Sequence, residues 1–490
     1  MESLFAADDK FDVVISSLEA RGWHRTLSPP SSSSPPDLLW TNLKNVDWTS
    51  MRPEQLVNHL RGSQHLSNKA FLAYHMHMSG YAKEMPRQWS SAYQDLGELI
   101  GMVVVESLRE PAQTVASLSE LERVVRVLGT DTEWSRSSDG QLVKELLQQQ
   151  QQQQQQCPSS SSDEGIWIVK PVGGSCGSNI QVVQGLLALL TAVKRDMHYK
   201  CVVQKYIERP LLLTEKKRKF DIRQWVLVTS IEPLVIYGFS EFYCRLSSQP
   251  YTISAVGLAD PTIHLCNHAI QKKSQGGGGG GGGGSVGEDD DEDDDGRNML
   301  THAQFDAELQ SQLGADGALT TESILLPQIR RIAVRTVASV RDKLERIGCG
   351  FEWLGLDLMV TEALDVRLIE CNVSPDISRS TPVTSRLVRA AVDDILCLLL
   401  DHRPPPPSKE GMAWQLWHGG GTAAAEGATE GGTVFETFSP NYLAFARSKR
   451  DQCILGKDYA PKKEDLAERV LRVLEQVGRE GEEGEEEEEM

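Results

Sequence analysis

Low-complexity runs decide where this chain can fold. Gln148–Ser162 is a polyglutamine–serine linker, and Gly276–Gly284 is an unbroken glycine run leading into eight consecutive acids, Glu288–Asp295. Such stretches cannot bury enough apolar surface to offset the entropy of ordering their backbone. Pro29–Pro36 (PPSSSSPP) is a loop insertion, and Pro404–Pro407 stops the last strongly patterned helix. Any fold must be assembled from the segments between these breaks.

The net charge of −19 follows the same punctuation. Glu288–Asp295 and Glu480–Glu489 carry sixteen acids, and setting them aside leaves a patterned part near −3. Both runs read as solvated segments outside any site. No apolar stretch reaches the roughly 18–20 residues of a membrane-spanning helix, and the acidic start MESLFAADDK argues against a signal peptide. Nine cysteines without a CxxC pair read as reduced core thiols of a cytosolic protein.

Ile166–Lys170 and Cys201–Ile207 have the apolar continuity of buried strands, with a helix expected over Val183–Arg195. Phe220–Thr229 and Leu234–Phe239 read as a strand pair joined through Glu232-Pro233. Ser323–Ile347 reads as one long helix, Trp353–Val360 and Val366–Cys371 as strands around an Ala-Leu-Asp turn, and Ser385–Leu400 as an amphipathic helix. Strand pairs mixed with helices indicate an α+β class.

The chemistry concentrates in four places. Asp357 interrupts the apolar strand WLGLDLMV, and Glu370 and Asn372 alternate along LIECN, so the latter two share a face. A charge inside a buried strand needs a metal or a partner, and these hard oxygen donors suit magnesium; edge charges facing solvent are the bland alternative. Lys170 leaves a strand into Gly173, Gly174 and Gly177, a loop whose backbone N–H groups could cradle phosphate, although such a turn is more often only a turn. Gln204, Lys205, Tyr206 and Ile207 could offer backbone groups to an adenine edge, or simply end a strand. Lys219, Asp221 and Arg223 alternate on one strand face, where Asp221 would suit a ribose or a lysine and Arg223 a phosphate or carboxylate; a solvated basic face is equally compatible.

In order along the chain, RGWHRT, DLLWTN, QLVNHLRGSQHLSNKAFL, WIVKP, VVQKYIERPLLL, KFDIRQWVLVT, FYCRL, HLCNHAIQKK and LIECNVSP resemble the tubulin tyrosine ligase-like family over most of residues 10–402. The resemblance implies an ATP-grasp fold with a small N-terminal domain (1–105), a central domain (106–205, containing the 147–163 linker) and a C-terminal domain (206–403, containing the 274–297 insertion). Nucleotide would lie between the last two, and 404–490 would form a largely disordered tail with a short charged helix. It assigns Lys170 to phosphate, Gln204 to Ile207 to the adenine hinge, and Lys219 and Asp221 to the nucleotide pocket. Asn267 falls near the phosphates, Asp357, Glu370 and Asn372 hold magnesium, and Arg223 and Arg245, which face the acyl phosphate and substrate carboxylates, form the catalytic set with Glu370.

FYCRLSSQPYTI, HLCNHAIQKK, Met85-Pro86-Arg87 and the insertion after Lys273 look most like the glycylase branch. The resemblance then implies ATP- and Mg2+-dependent joining of free glycine to glutamate side chains in the acidic tails of tubulin or microtubules, by a monomer in the cytoplasm and cytoskeleton or a ciliary axoneme. No nucleic acid or membrane partner is implied. Polyglutamylation, with glutamate as the amino acid, is the alternative within the family, and a catalytically weak microtubule-binding module the alternative outside it. Cys176 and Asn179 depart from the family's glycine-rich loop, which usually carries a basic residue and a second glycine there. Lys216–Lys219, Arg330, Arg331, Arg335, Arg379, Arg386 and Arg389 are candidates for a tail-binding positive surface.

Overall fold

The computed structural model describes residues 3–26, 35–91, 99, 102–103, 165–173, 177–196, 200–267, 270–271, 298–314, 320–379, 381–401 and 412–419. By internal packing the described residues of 1–85, 209–252 and 260–430 form one compact unit, and those of 86–208 and 253–259 form another. In chain order the strands are β1 (Leu4–Ala7), β2 (His24–Arg25), β3 (Leu38–Trp40), β4 (Leu56–Val57), β5 (Gln88–Ser90), β6 (Ile166–Pro171), β7 (Gln181–Gln184) and β8 (Cys201–Lys205). They continue with β9 (Leu212–Leu213), β10 (Arg218–Ile231), β11 (Leu234–Phe239), β12 (Tyr243–Pro250), β13 (Met299–Thr301), β14 (Glu352–Val360), β15 (Val366–Val373) and β16 (Trp414–His418).

The first unit is built on β10. β12 and then β11 pair antiparallel along one edge of it, and β14 along the other, with β15 beyond β14. Period-two alternation gives this sheet two different faces. Ile222, Val226, Leu354, Leu356 and Leu358 point into a core closed by Ile329, Ile332, Ala333 and Val337 of the helix Leu326–Ser339. On the opposite face Trp225, Leu227 and Trp353 meet Leu387, Val388 and Ala391 of the helix Pro382–Leu400, together with Phe5, Leu38 and Trp40 of the parallel sheet β2-β1-β3-β4. The Pro382–Leu400 helix starts with a reciprocal Thr381–Thr384 capping box and a first-turn proline.

β16 lies in the segment read as a tail. It pairs with β11, and its alternate faces send Trp414 into the second core and Trp417 into the first. The second unit is a small antiparallel sheet, β5-β8-β6-β7, with Leu189, Leu190 and Val193 of the helix Leu186–Asp196 buried.

Two expected helices differ in extent. Val183 belongs to β7, and Gly185, at φ 82°, separates that strand from a helix that begins at Leu186. The helix expected over 323–347 ends at Ser339, after which a 3-10 turn spans Arg341–Lys343 and Arg61 bridges Glu345. Among the described residues no helix is long and apolar enough to cross a membrane. The described cysteines are free, and all but Cys349 are buried.

Candidate active site

The face of the sheet that carries Trp225 and Trp353 turns polar along the same strands, two residues from Trp225 at Arg223 and four from Trp353 at Asp357. Register does the placing: Asp221 lies opposite Arg245, Arg223 opposite Asp357, Asp357 opposite Glu370, and Gly355 opposite Asn372. A single row of charges thus crosses β12, β10, β14 and β15. Arg245 grips Asp221 with two bonds, Nε to Oδ1 at 2.7 Å and Nη2 to Oδ2 at 2.8 Å, and its Nη2 also lies 2.9 Å from Asp357 Oδ2. Arg223 Nε donates to Asp357 Oδ1 at 2.5 Å. Asn372 Nδ2 donates to Asp357 Oδ2 and to Glu370 Oε1, both at 3.3 Å.

These ion pairs are removed from water: Asp357 is 3% exposed, Arg223 7% and Arg245 8%. Burial works against the Asp357 charge, but Arg223 and Arg245 outweigh it and hold the carboxyl well below the usual range. Burial lifts the Asp221 carboxyl above its ordinary value despite the Arg245 fork, and the neighbouring Asp357 charge adds to the rise. Lys219, on the same face, donates to the His264 carbonyl at 2.7 Å, and burial pushes its amine down to about 8. Asn267 follows, its carbonyl accepting from Ile270 and Gln271.

Lys69 joins this row and was not assigned from sequence. Its ammonium stands 3.5 Å from Glu370 Oε2. It opens the helix Lys69–Met78, whose start is fixed by the Asn68 side chain accepting from Ala70 and Phe71 N–H. The signal was available, because Lys69 lies within the Gln55–Leu72 motif.

The donor set fits magnesium: two carboxylates and an amide converge from paired strands, leaving the other positions for phosphate oxygen and water. Among the described residues no three His, Cys, Asp or Glu side chains are grouped to hold a metal by themselves. Asn372 turns its NH2 toward the carboxylates; with a cation between them its carbonyl oxygen would face inward instead.

In the second unit Lys170, 5% exposed, donates to Gln204 Oε1 at 2.8 Å, and Gln204 Nε2 donates to Gln88 Oε1 at 3.1 Å. The antiparallel register of β6 and β8 brings Lys170 and Gln204 together. Lys205 pairs with Glu208, Tyr206 is buried with its N–H on the Ile166 carbonyl, and Ile207 is half-buried. Gly173 and Gly177 lie in the loop after β6, whereas Gly174 and Cys176 lie outside the described residues. Asn179 adopts φ 57°, a left-handed conformation that asparagine tolerates better than most residues.

The proposed positive surface needs correction. Arg330 donates to the Trp417 carbonyl at 2.9 and 2.6 Å, while Arg331 and Arg335 both bind the buried Glu84. Arg379 pairs with Asp12, Arg386 lies 3.8 Å from Glu241, and Lys219 is buried. Lys216, Lys217 and Arg389 are exposed. The helix Leu326–Ser339 therefore spends its arginines on holding the unit together.

Residues 48–410 match the family model described as the tubulin-tyrosine ligase family. A tubulin monoglycylase of Danio rerio is 35% identical over 243 residues, 49% of this chain and 29% of the relative. Tubulin glycylase 3C of Tetrahymena thermophila is 36% identical over 242 residues, 49% of this chain and 21% of the relative. A protein monoglycylase of Mus musculus is 34% identical over 242 residues, 49% of this chain and 27% of the relative. The chain thus covers less than a third of the length of these relatives.

Proposed function

The chain belongs to the tubulin-tyrosine ligase family, and from that premise we propose that it is an ATP-dependent ligase of ATP-grasp type that joins glycine to glutamate side chains of tubulin tails. The observation that carries this reading is the buried charge row Arg245–Asp221–Arg223–Asp357, continued by the half-buried Glu370 and Asn372. The glycylase names of several relatives favour glycine over glutamate as the amino acid.

A carboxylate is a poor electrophile, so such a ligase works through an acyl phosphate. The acceptor carboxylate oxygen takes the terminal phosphoryl group of ATP and ADP leaves. The glycine amine then attacks the acyl carbon, loses a proton and expels phosphate. Magnesium, when bound, neutralises phosphate charge. Asp357, Glu370 and Asn372 would hold that ion. Arg245, held by Asp221 and Asp357, and Arg223, held by Asp357, offer preorganised guanidinium groups to the acyl phosphate. Lys170 is assigned to phosphate, Gln204 to Ile207 to adenine, and Lys219, Asp221 and Asn267 to the remaining nucleotide contacts. Phosphoryl transfer depends on positioning and charge, without a protein nucleophile.

The test is ATP-dependent incorporation of labelled glycine, glutamate or tyrosine into tubulin, beside Glu370→Gln. Glycine transfer that the variant abolishes supports the proposal. Glutamate transfer alone moves the chain to another branch, and transfer of none of the three overturns the enzymatic reading.

A further inference from the structure

A second buried polar cluster lies beyond the charged row. Glu352, the first residue of β14, is fully buried; it accepts from Leu60 N–H at 2.8 Å and from the Ser63 hydroxyl, and its other oxygen is hydrogen-bonded to the His59 ring. His59 is 1% exposed and has partners at both nitrogens. Nδ1 lies 2.8 Å from Glu352 Oε1, and Nε2 lies 2.9 Å from the Thr41 carbonyl and 3.2 Å from Ser374 Oγ. A carbonyl can only accept, so Nε2 carries hydrogen and Ser374 Oγ accepts from it as well. Asn58 Nδ2, 3.4 Å from Nε2, has its own acceptor in the Thr41 carbonyl at 2.9 Å.

The cluster joins the ends of three strands. Thr41 follows β3, Glu352 opens β14, and Ser374 follows β15. Because β14 and β15 are antiparallel, with Leu354 opposite Val373, the two anchor points sit at the same end of the strand pair. That end carries Asn372, two residues before Ser374. Ser374 holds φ 56°, a left-handed conformation that a serine adopts only when its surroundings determine it. The imidazole contact is such a determinant.

We propose that His59 is a positioning residue for the metal pole: braced by Glu352, it fixes the left-handed Ser374 and so sets where Asn372 aims relative to Asp357 and Glu370. The inference rests on the magnesium reading above. A buried polar cluster of this kind adds little stability over apolar side chains of the same volume but enforces one arrangement of the segments it joins. Outer partners of metal ligands typically change affinity by about 10–100-fold when removed.

The experiment measures Mn2+ affinity of the full chain, with a non-hydrolysable ATP analogue, by electron paramagnetic resonance, and thermal melting in parallel. Ser374→Ala is expected to weaken Mn2+ binding about tenfold with little change in melting. Ser374→Gly, which keeps the left-handed backbone without the hydroxyl, is expected to do the same if the alanine variant fails to fold. The double variant His59→Gln/Ser374→Ala should bind no more weakly than His59→Gln alone, because the serine acts through the ring. Parent-like Mn2+ affinity in both serine variants, or additive losses in the double variant, overturns the proposal. Asp357→Asn separates the two readings: if it too leaves Mn2+ binding unchanged, the metal site itself is wrong and this inference falls with it.

Discussion

Gly355 offers a clean way to ask whether the placement of Arg223 matters. A Cβ on Gly355 would lie 3.1 Å from Arg223 Cδ, 3.3 Å from Arg223 Nη1 and 3.1 Å from Pro375 Cβ. Ordinary contact begins at 3.4 Å, so the methyl group is short of room by 0.3 Å against Arg223 and by the same amount against Pro375. Moving away from one brings it into the other. The guanidinium therefore shifts by a few tenths of an ångström, and its 2.5 Å bond to Asp357 shifts with it. Displacement by about 1 Å can reduce catalysis by about 100-fold, so a third of that predicts roughly a fivefold fall in kcat/KM, or about 1 kcal/mol. Overpacking should remove about 1–2 kcal/mol of stability. Steady-state glycine incorporation and calorimetric melting measure the two effects separately. Gly355→Ala with parent kcat/KM and parent melting would refute the claim that Arg223 is tightly held and catalytically positioned.

Three other substitutions probe different features. Gly173→Ala places a Cβ with no atom of the described residues within 4 Å beyond its chain neighbours, so melting should stay at the parent value, and a raised KM for ATP then reports the approach of a phosphate to that loop. Asp394, 7% exposed with Oδ2 unpartnered, has its carboxyl pushed by burial up to about 6, so the folded state binds its proton more tightly than the unfolded state. Its destabilising effect is absent below pH 3.8, develops as pH rises to about 6 and persists above; Asp394→Asn should add about 1–3 kcal/mol at pH 7.5 in denaturant titrations, with the gain shrinking toward pH 4. Gly238→Ala would set a Cβ 2.0 Å from the Trp417 ring and should release β16 at about 3–5 kcal/mol, a loss that a Trp417→Ala background largely abolishes.

The acids of the charged row were legible because an ionised group within an apolar strand is costly, and strand alternation then assigns its face. The same logic applies to Glu352, but a strand read as beginning at Trp353 left that acid outside it. What local pattern cannot supply is a distant partner. Arg331 and Arg335 look like a solvated basic stripe until Glu84, about 250 positions earlier, is seen beneath them. β16 was hidden for a related reason. It follows a proline run, and Trp414 and Trp417 serve two different cores, so neither a single apolar face nor a helical period announces it. The helix expected to begin at Val183 failed on Gly185, whose left-handed backbone ends β7 where the apolar periodicity continues.

The same two strands change from Trp225 and Trp353 to Arg223 and Asp357 within a few residues, and that contrast bears on what the charges are for. A buried ion pair contributes little over well-packed apolar residues, whereas removing one partner alone typically costs about 3–5 kcal/mol. If the Asp221–Arg245 pair served only the fold, apolar residues would serve as well. Asp221→Leu alone should therefore destabilise strongly, because Arg245 keeps only Asp357 as a partner. Asp221→Leu/Arg245→Met should recover much of that stability in melting experiments, since no uncompensated guanidinium remains. Glycine incorporation should nevertheless stay below detection in the double variant. A stable double variant that retains activity would mean that the row is structural, and that the cation facing the acyl phosphate must be sought elsewhere.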